Sequence, residues 1–271
     1  MSDAPAGRLA VVGLGPGALE WRTPEASERL RQATDLVGYR TYLRQVGPVG
    51  EHQICHPFAN RQEAKRAAFA LDLAAAGRDV VVVSSGDPGI FAMAAAVVEE
   101  LHRESTSGRW SHVEVTIVPG VTAASAAAAR IGAPLGHDFC LISLSDVLKP
   151  WSVIEQRIEA AAAADFVLGF YNPLSRHRPW QLGRALEVVA RHRGGETPVV
   201  EAHDVGRIDE VIYTTTLAEV DAQRVDMSTL LLVGSSTTRR FTDARGRTWV
   251  YTPRHYPSTP ENSDGAHEAE H

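Results

Sequence analysis

The chain has 271 residues, of which 44% are hydrophobic and 22% are charged, and its formal net charge is −6. This composition is typical of a globular protein with a sizeable core, and the acidic balance argues against a general nucleic-acid binder. The two cysteines are too few for a disulfide framework, and no apolar run has the length of a membrane-spanning helix. The polar first residues lack the basic-then-apolar order of a secretion signal. We therefore expect a cytoplasmic protein.

Apolar, strand-like runs alternate with helical patterns along the chain. The strand-like runs are residues 9–14, 80–83, 113–118, 139–144, 166–170, 198–201 and 229–233. The helical patterns are residues 24–33, 61–76, 92–102, 122–131, 151–164 and 181–192, the first with Thr23 as its N-cap. Because strands alternate with helices, the pattern predicts an α/β fold with mostly parallel sheets.

The number of predicted strands exceeds one small sheet, so we expect two domains. Proline and glycine punctuate the chain at Pro119–Gly120, which predicts an N-terminal α/β domain over residues 1–119 and a C-terminal α/β domain over 120–255. Residues 256–271 contain few apolar side chains, and this composition predicts a disordered tail.

The first strand-like run leads into "GLGPGA", which satisfies the loose glycine pattern of a dinucleotide-binding turn. Two features disfavour that interpretation. Pro16 removes an N–H where a pyrophosphate would need donors, and the helix begins late, at Pro24. A plain strand-to-helix turn remains the simple alternative for this segment.

Glycine- or proline-containing turns follow several predicted strands. They read "GLGPGA", "SSGDPGIF", "VPGVTAAS" and "GFYNPLSR". In open α/β sheets, ligands bind outside the carboxyl ends of the strands. Turns of this kind let the backbone approach a ligand closely, so together they predict a shared binding site.

These segments together resemble the tetrapyrrole methylases of cobalamin and siroheme synthesis, over about residues 8–253. The segments "DLVGYRTYL" and "GFYNPLSRHRPWQL" resemble the branch that methylates carbon 17 of precorrin-3B and contracts the ring. The resemblance implies two α/β domains with S-adenosylmethionine in the cleft between them, a homodimer, and precorrin-3B as the substrate.

The resemblance also implies site residues. The implied cofactor contacts, largely through the backbone, are Pro16, Ser85, Gly86, Asp87, Ile90, Thr122, Ala123, Asn172 and His203. Gly86 would permit close approach, and Asp87 would either orient its loop or meet a cofactor hydroxyl. Candidates for an acid or base in ring contraction are Asp146, Tyr171 and His177.

Reduced tetrapyrroles of this class carry several carboxylate side chains. Arg40 and Arg176 are candidates to bind them, since a guanidinium offers two parallel N–H groups to a carboxylate. The alternative is that these arginines only solvate surface loops.

Other interpretations remain open. The sequence does not distinguish precorrin-3B from the cobalt-containing factor III of the anaerobic route as the substrate. The same fold serves diphthine synthesis and ribosomal RNA methylation, and the acidic net charge disfavours both. A non-enzymatic dinucleotide-binding module is a distant alternative.

The "HQICH" segment, His52 to His56, fits no zinc spacing. We therefore predict no metal site there, and a loop bordering the cleft.

Overall fold

The structure is a computed structural model that describes residues 7–256. Its strands are β1 (Arg8–Gly13), β2 (Asp35–Tyr39), β3 (Ile54–Phe58), β4 (Asp79–Ser84), β5 (Glu114–Val118), β6 (Gly132–Ala133), β7 (Phe139–Ser143), β8 (Val167–Tyr171), β9 (Pro198–His203), β10 (Val211–Thr216), β11 (Thr229–Val233), β12 (Arg239–Thr242) and β13 (Thr248–Tyr251). Its α-helices are α1 (Pro24–Gln32), α2 (Arg40–Val46), α3 (Glu63–Ala75), α4 (Met93–Arg103), α5 (Ala123–Ile131), α6 (Trp151–Ala163) and α7 (Gln181–Ala190).

The first sheet has the strand order β3-β2-β4-β1-β5, and all its strands run parallel. Helices α3 and α4 cover one face, where Leu71 and Val97 pack on Val11 and Val82. Helices α1 and α2 contribute to the core on the other face. Burial on both faces explains the uninterrupted valines of β4. At the start of α1, the Thr23 hydroxyl accepts a hydrogen bond from the Ala26 amide at 3.1 Å, so the predicted N-cap is confirmed.

The second sheet has the order β10-β9-β11-β8-β7 and is mixed, because β8 runs parallel to β7 and antiparallel to β11. Helices α6 and α7 pack on it through Ile154, Ile158, Leu182 and Val188. A small third sheet has the order β12-β13-β6, in which β13 runs antiparallel to β12 and parallel to β6. The predicted α/β fold with mostly parallel sheets is confirmed, with these antiparallel pairs as the exceptions.

The described chain divides into two compact units. One consists of the residues up to Ala127 together with Ala202–Val211, and the other consists of Ala128–Glu201 and the residues from Ile212 onward. The predicted boundary at residue 119 precedes α5, whereas the two units divide within that helix. Among residues 7–256, no helix is both long enough and apolar enough to cross a membrane.

The prediction of a loop at "HQICH" is wrong from residue 54 onward, because Ile54–Phe58 forms strand β3 at the edge of the first sheet. Its exposed residues and Pro57 hide the strand signal, as is common for edge strands. The His56 ring lies 2.8 Å from one carboxylate oxygen of Asp35, and the other oxygen accepts a hydrogen bond from Arg78 at 2.7 Å. Within residues 7–256, no group of three or more histidine, cysteine or acidic side chains is arranged to hold a metal ion.

Of the predicted tail, residues 256–271, only Tyr256 lies within the described chain, and its hydroxyl donates to the Asp165 carboxylate. Deleting residues 257–271 is expected to leave the melting temperature unchanged, because their composition cannot bury enough apolar surface to offset ordering. Deleting residue 256 as well is expected to lower it by about 2 °C, through the lost hydrogen bond. Differential scanning calorimetry of the two truncations checks this, and equal melting temperatures would contradict the role of Tyr256.

Candidate functional site

Three loops follow adjacent parallel strands of the first sheet. We call them the β1 loop (residues 14–18), the β4 loop (residues 85–92) and the β5 loop (residues 119–122). Because β1 lies between β4 and β5, and all run in the same direction, the three loops leave the sheet at one edge. The structure therefore brings together the glycine-containing turns that the sequence places far apart.

The β1 and β4 loops pair through their backbones. The Gly86 amide donates to the Gly15 carbonyl at 2.8 Å, and the Gly15 amide donates to the Gly86 carbonyl at 3.2 Å. Both glycines have positive φ angles, +72° at Gly15 and +65° at Gly86. Side chains are disfavoured in this region, so glycine is the residue that permits the pairing.

The β5 loop packs directly against this pair. A Cβ atom on Gly120 would lie 2.3 Å from the Gly86 carbonyl oxygen, and one on Gly13 would lie 2.7 Å from the same oxygen. Both distances are far below van der Waals contact, and the obstructing atom belongs to the backbone. The approach of the three loops therefore requires glycine at both positions.

Asp87 connects the β4 loop to the β5 loop. One carboxylate oxygen accepts a hydrogen bond from the Gly89 amide at 2.7 Å, and the other accepts one from the Gly120 amide at 3.0 Å. The first bond shapes the turn of its own loop, as aspartate does in Asx turns. The second holds the neighbouring loop, so both oxygens have a backbone partner.

The side of Gly86 that faces the β5 loop has room. A Cβ atom there would meet nothing nearer than the Thr122 Cα at 3.8 Å and the Val121 carbonyl at 3.9 Å, both ordinary contacts. The predicted contact residues Ser85 and Ile90, on the β4 loop, and Ala123, the first residue of α5, are half-buried. The structure thus groups the predicted residues of the β4 and β5 loops.

The sequence analysis missed a fourth contributor, residues 204–210, which follow β9. The Ala18 amide donates to the Gly206 carbonyl at 2.6 Å, and a Cβ atom on Gly17 would lie 2.3 Å from that oxygen. Gly206 has a φ angle of +78° and packs on the buried Pro16. The glycine after the predicted strand 198–201 is the signal that could have found it. The predicted contact residue His203 is the last residue of β9 and is half-buried.

The second sheet also has polar residues at the carboxyl ends of a parallel pair. Strands β7 and β8 end side by side at Ser143 and Tyr171. The Asn172 side-chain amide donates to the Ser143 hydroxyl at 3.0 Å, and Asp146 accepts a hydrogen bond from Gln181 at 2.9 Å. Of the predicted acid–base residues, Asp146 and Tyr171 therefore belong to this edge and are half-buried.

The loop after Asn172 is held from inside by Arg178. This buried guanidinium donates to the Asn172 carbonyl at 2.7 Å and contacts the Met227 sulfur at 3.0 Å. Arg176 and His177 lie on the turn between Ser175 and Arg178 and are exposed. Both predicted residues are therefore accessible to a ligand, whereas Arg178 is structural.

The other predicted carboxylate-binding residue, Arg40, is the first residue of α2, directly after β2. Its side chain is exposed, and it lies at the same edge of the first sheet as the three loops. Arg40 and Arg176 belong to different compact units.

Comparison with known proteins places this chain in a family. Residues 8–221 match the family model "Tetrapyrrole (Corrin/Porphyrin) Methylases". The chain is 49% identical over 250 residues to the precorrin-3B C(17)-methyltransferase of a Sinorhizobium species, covering 92% of this chain and 97% of that protein. It is 50% identical over 256 residues to the cobalamin biosynthesis protein CobIJ of Mycobacterium tuberculosis, covering 93% of this chain and 49% of that protein.

The chain thus spans about half the length of CobIJ. A crystal structure of the methyltransferase CobJ superposes with a TM-score of 0.85 at 45% identity, covering 91% of this chain and 100% of that one. These matches agree with the resemblance that the glycine-rich loops indicate. The chain belongs to the tetrapyrrole (corrin/porphyrin) methylases.

Proposed function

We propose that the protein is an S-adenosylmethionine-dependent methyltransferase of cobalamin biosynthesis that methylates carbon 17 of precorrin-3B and contracts its ring. The observation that carries the proposal is the junction of the β1, β4 and β5 loops around Gly86. The Sinorhizobium relative, aligned over nearly its whole length, is named a precorrin-3B C(17)-methyltransferase, which supports the methylation part of the proposal. We further propose that the protein acts as a cytoplasmic homodimer.

The residues around Gly86 fit the cofactor. When bound, S-adenosylmethionine supplies a methyl group on a sulfonium sulfur, which an electron-rich carbon can attack. The room beside Gly86 admits a ligand against bare backbone, and Ser85, Ile90, Thr122 and Ala123 would hold it there. No nucleophilic side chain is needed, because the conjugated tetrapyrrole provides the carbon. The contribution of these loops is therefore orientation, worth up to about 7–11 kcal/mol of the barrier.

Ring contraction needs proton transfers near the macrocycle, and we assign these to the edge of the second sheet. Asp146 and Tyr171 are the candidates there, since the first is a hydrogen-bonded carboxylate and the second ends β8. His177 remains a third candidate on the exposed turn. Each has an oxygen or nitrogen that can give or take a proton.

The deciding experiment is incubation of the protein with S-adenosylmethionine and either precorrin-3B or cobalt-factor III, with the product identified by mass spectrometry and NMR. A ring-contracted, methylated product from one substrate supports the proposal and selects the route. Methylation of RNA or of a protein instead would favour the other functions of this fold. Binding of NAD without binding of S-adenosylmethionine would favour a dinucleotide-binding module.

Replacing Arg176 by alanine is expected to raise the dissociation constant for the tetrapyrrole about tenfold, since the exposed guanidinium would lose a charge-assisted hydrogen bond to a carboxylate. Binding of S-adenosylmethionine should not change. Arg176→Lys should restore only part of the affinity, because an ammonium lacks the paired N–H groups. Equilibrium titration measures both ligands, and Arg245→Ala, on another exposed turn, is the control. Lost cofactor affinity with normal tetrapyrrole affinity would contradict this role.

A further inference from the structure

Helix α3 contains a buried arginine in its first turns. Arg66 is only 3% exposed, and it donates hydrogen bonds to the Ala59 carbonyl at 3.1 Å and to the Met93 sulfur at 3.2 Å. Its Nε atom is buried without a hydrogen-bond partner, and among residues 7–256 no carboxylate forms an ion pair with it. Glu63, three residues earlier, acts on it only as a nearby charge. The Arg66 guanidinium also lies over the Phe58 ring, so among the described residues its buried charge has an aromatic neighbour but no carboxylate paired with it.

Arg193 is a second buried arginine, and its charge is paired with a carboxylate. Arg193, 8% exposed, lies 3.0 Å from the Asp165 carboxylate and donates to the Ala162 and Phe166 carbonyls at 2.7 and 3.2 Å. Burial lowers the pKa of both arginines. A buried charge without a counter-ion is costly, so its retention points to a function rather than to stability.

Tyr42 and Arg66 are linked by two aromatic rings at one edge of the first sheet. Tyr39 pairs with Phe58 across β2 and β3, and the Arg66 guanidinium lies 5.9 Å from the Phe58 ring centroid. The Tyr42 ring packs on the core beneath α2 and meets the Tyr39 ring edge-to-face, with centroids 5.3 Å apart. Tyr42 is half-buried, and its hydroxyl is not among the buried polar atoms of the described chain that lack a partner, so it is available to a ligand. Burial raises the pKa of Tyr42, while the charges of Arg207 and Arg66 act to lower it.

Arg207 is the solvent-exposed arginine of the two whose charges act on Tyr42. Its side chain is 36% exposed and pairs with Asp204 at 2.7 Å, and its Cγ atom would lie 2.7 Å from a Cβ atom on Gly17. Arg207 therefore borders the β1 loop. The cluster, which consists of Tyr42, Arg66 and Arg207, lies beside the loops that we assign to the cofactor.

We propose that Tyr42, Arg66 and Arg207 form an anion subsite that binds one carboxylate side chain of the tetrapyrrole substrate. The Tyr42 hydroxyl would donate to the carboxylate, Arg207 would approach it from the exposed side, and the buried charge of Arg66 would attract it from behind. The identity of the ligand rests on the proposed function. S-adenosylmethionine also carries a carboxylate, so the experiment separates the two sources.

The binding test uses uroporphyrin, whose side chains are acetates and propionates, and its methyl ester, which lacks the charges. The unaltered protein should bind the free acid more tightly than the ester. Tyr42→Phe and Arg66→Met should each weaken binding of the free acid about tenfold and leave binding of the ester unchanged. Tyr251→Phe, which alters another tyrosine in an edge-to-face ring pair, is the control and should change neither. Unchanged affinity of both variants for the free acid would overturn the subsite.

The stability test asks whether Arg66 instead serves to hold Ala59 and Met93. If its charge is uncompensated, Arg66→Met should keep or raise the melting temperature, since an apolar side chain is cheaper to bury. Arg193→Met, which leaves Asp165 without its partner, should lower it by several degrees. Equal losses in the two variants, together with unchanged binding by Tyr42→Phe, would assign Arg66 a purely structural role.

Calorimetric titration with S-adenosylmethionine completes the experiment. Normal cofactor affinity in Tyr42→Phe and Arg66→Met supports the tetrapyrrole as the source of the carboxylate. Loss of cofactor affinity in these variants, with unchanged uroporphyrin affinity, would overturn that assignment in favour of the cofactor carboxylate. Failure of the unaltered protein to bind either ligand would contradict the proposed function itself, and the subsite with it.

Discussion

Gly120→Ala is expected to lower the melting temperature by about 5 °C or more and to weaken binding of S-adenosylmethionine by more than about tenfold. The added Cβ atom would lie 2.3 Å from the Gly86 carbonyl oxygen and 3.0 Å from the backbone of Gly13. These are backbone atoms of the last residue of β1 and of the β4 loop, so no side chain can rotate to relieve the clash. The β5 loop must move away, and the junction of the three loops opens.

Two alanine substitutions make this prediction specific. Gly183→Ala, in α7 with open space around its Cβ position, should keep or slightly raise the melting temperature. Gly86→Ala should cost about 1–2 kcal/mol for its positive φ angle while the loops stay together, because its Cβ atom meets only ordinary contacts. It should nevertheless weaken cofactor binding, since the methyl group occupies the assigned space. A Gly120→Ala protein that melts and binds like the unaltered one would show that the three loops need not meet.

The sequence predicted the strands and glycine-containing loops that form this junction, but not which loops contact each other. Uninterrupted valines identified β4, and glycine or proline after each strand identified the loops. That Gly86 meets both Gly15 and Gly120 depends on β1 lying between β4 and β5, and hydrophobic periodicity contains no information on strand order. The same limit applies to Gly206, which meets the β1 loop from far along the chain.

Two features of the sheets could not be predicted from the sequence, an exposed edge strand and the direction of one strand pairing. Strand β3 is an edge strand with exposed residues on both sides, so neither a continuous apolar run nor a clear alternation marks it. The antiparallel pairing of β8 with β11 was not predicted, since both read as buried strands whichever way they run.

Arg66 was missed for a different reason. The buried face of α3 consists of Arg66, Ala67, Ala70, Leu71 and Ala74, which follow the helical period. The arginine occupies the first place on that face, but a charged residue near a helix start is ordinarily taken for a solvated one. A charge on the apolar side of a helix is thus a signal that the sequence contained.

Asp87→Asn is expected to weaken binding of S-adenosylmethionine about tenfold with only a small change in melting temperature. Asparagine keeps the size of the side chain, and its oxygen can still accept the hydrogen bond from the Gly89 amide. The other position becomes an NH₂ group facing the Gly120 amide, so a donor meets a donor and the bond between the β4 and β5 loops is lost. The two loops then no longer hold one relative position.

The control is a second aspartate that shapes a turn. Asp243 accepts hydrogen bonds from the amides of Arg245 and Arg247 at 2.9 and 3.0 Å and from the Trp249 ring at 2.8 Å. Asp243→Asn should disturb its own hairpin and leave cofactor binding unchanged. Calorimetric titration of both variants measures the difference, and normal affinity in Asp87→Asn would contradict the connecting role.

The same variant separates the two roles predicted for Asp87. If the carboxylate only positions the β4 and β5 loops, its replacement should weaken binding of S-adenosylmethionine and of a deoxyribose analogue by the same factor. If it accepts a hydrogen bond from a ribose hydroxyl, the analogue should already bind weakly, and the substitution should add little, because the two changes remove one interaction. Both oxygens of Asp87 already have backbone partners, so we expect equal factors and a positioning role.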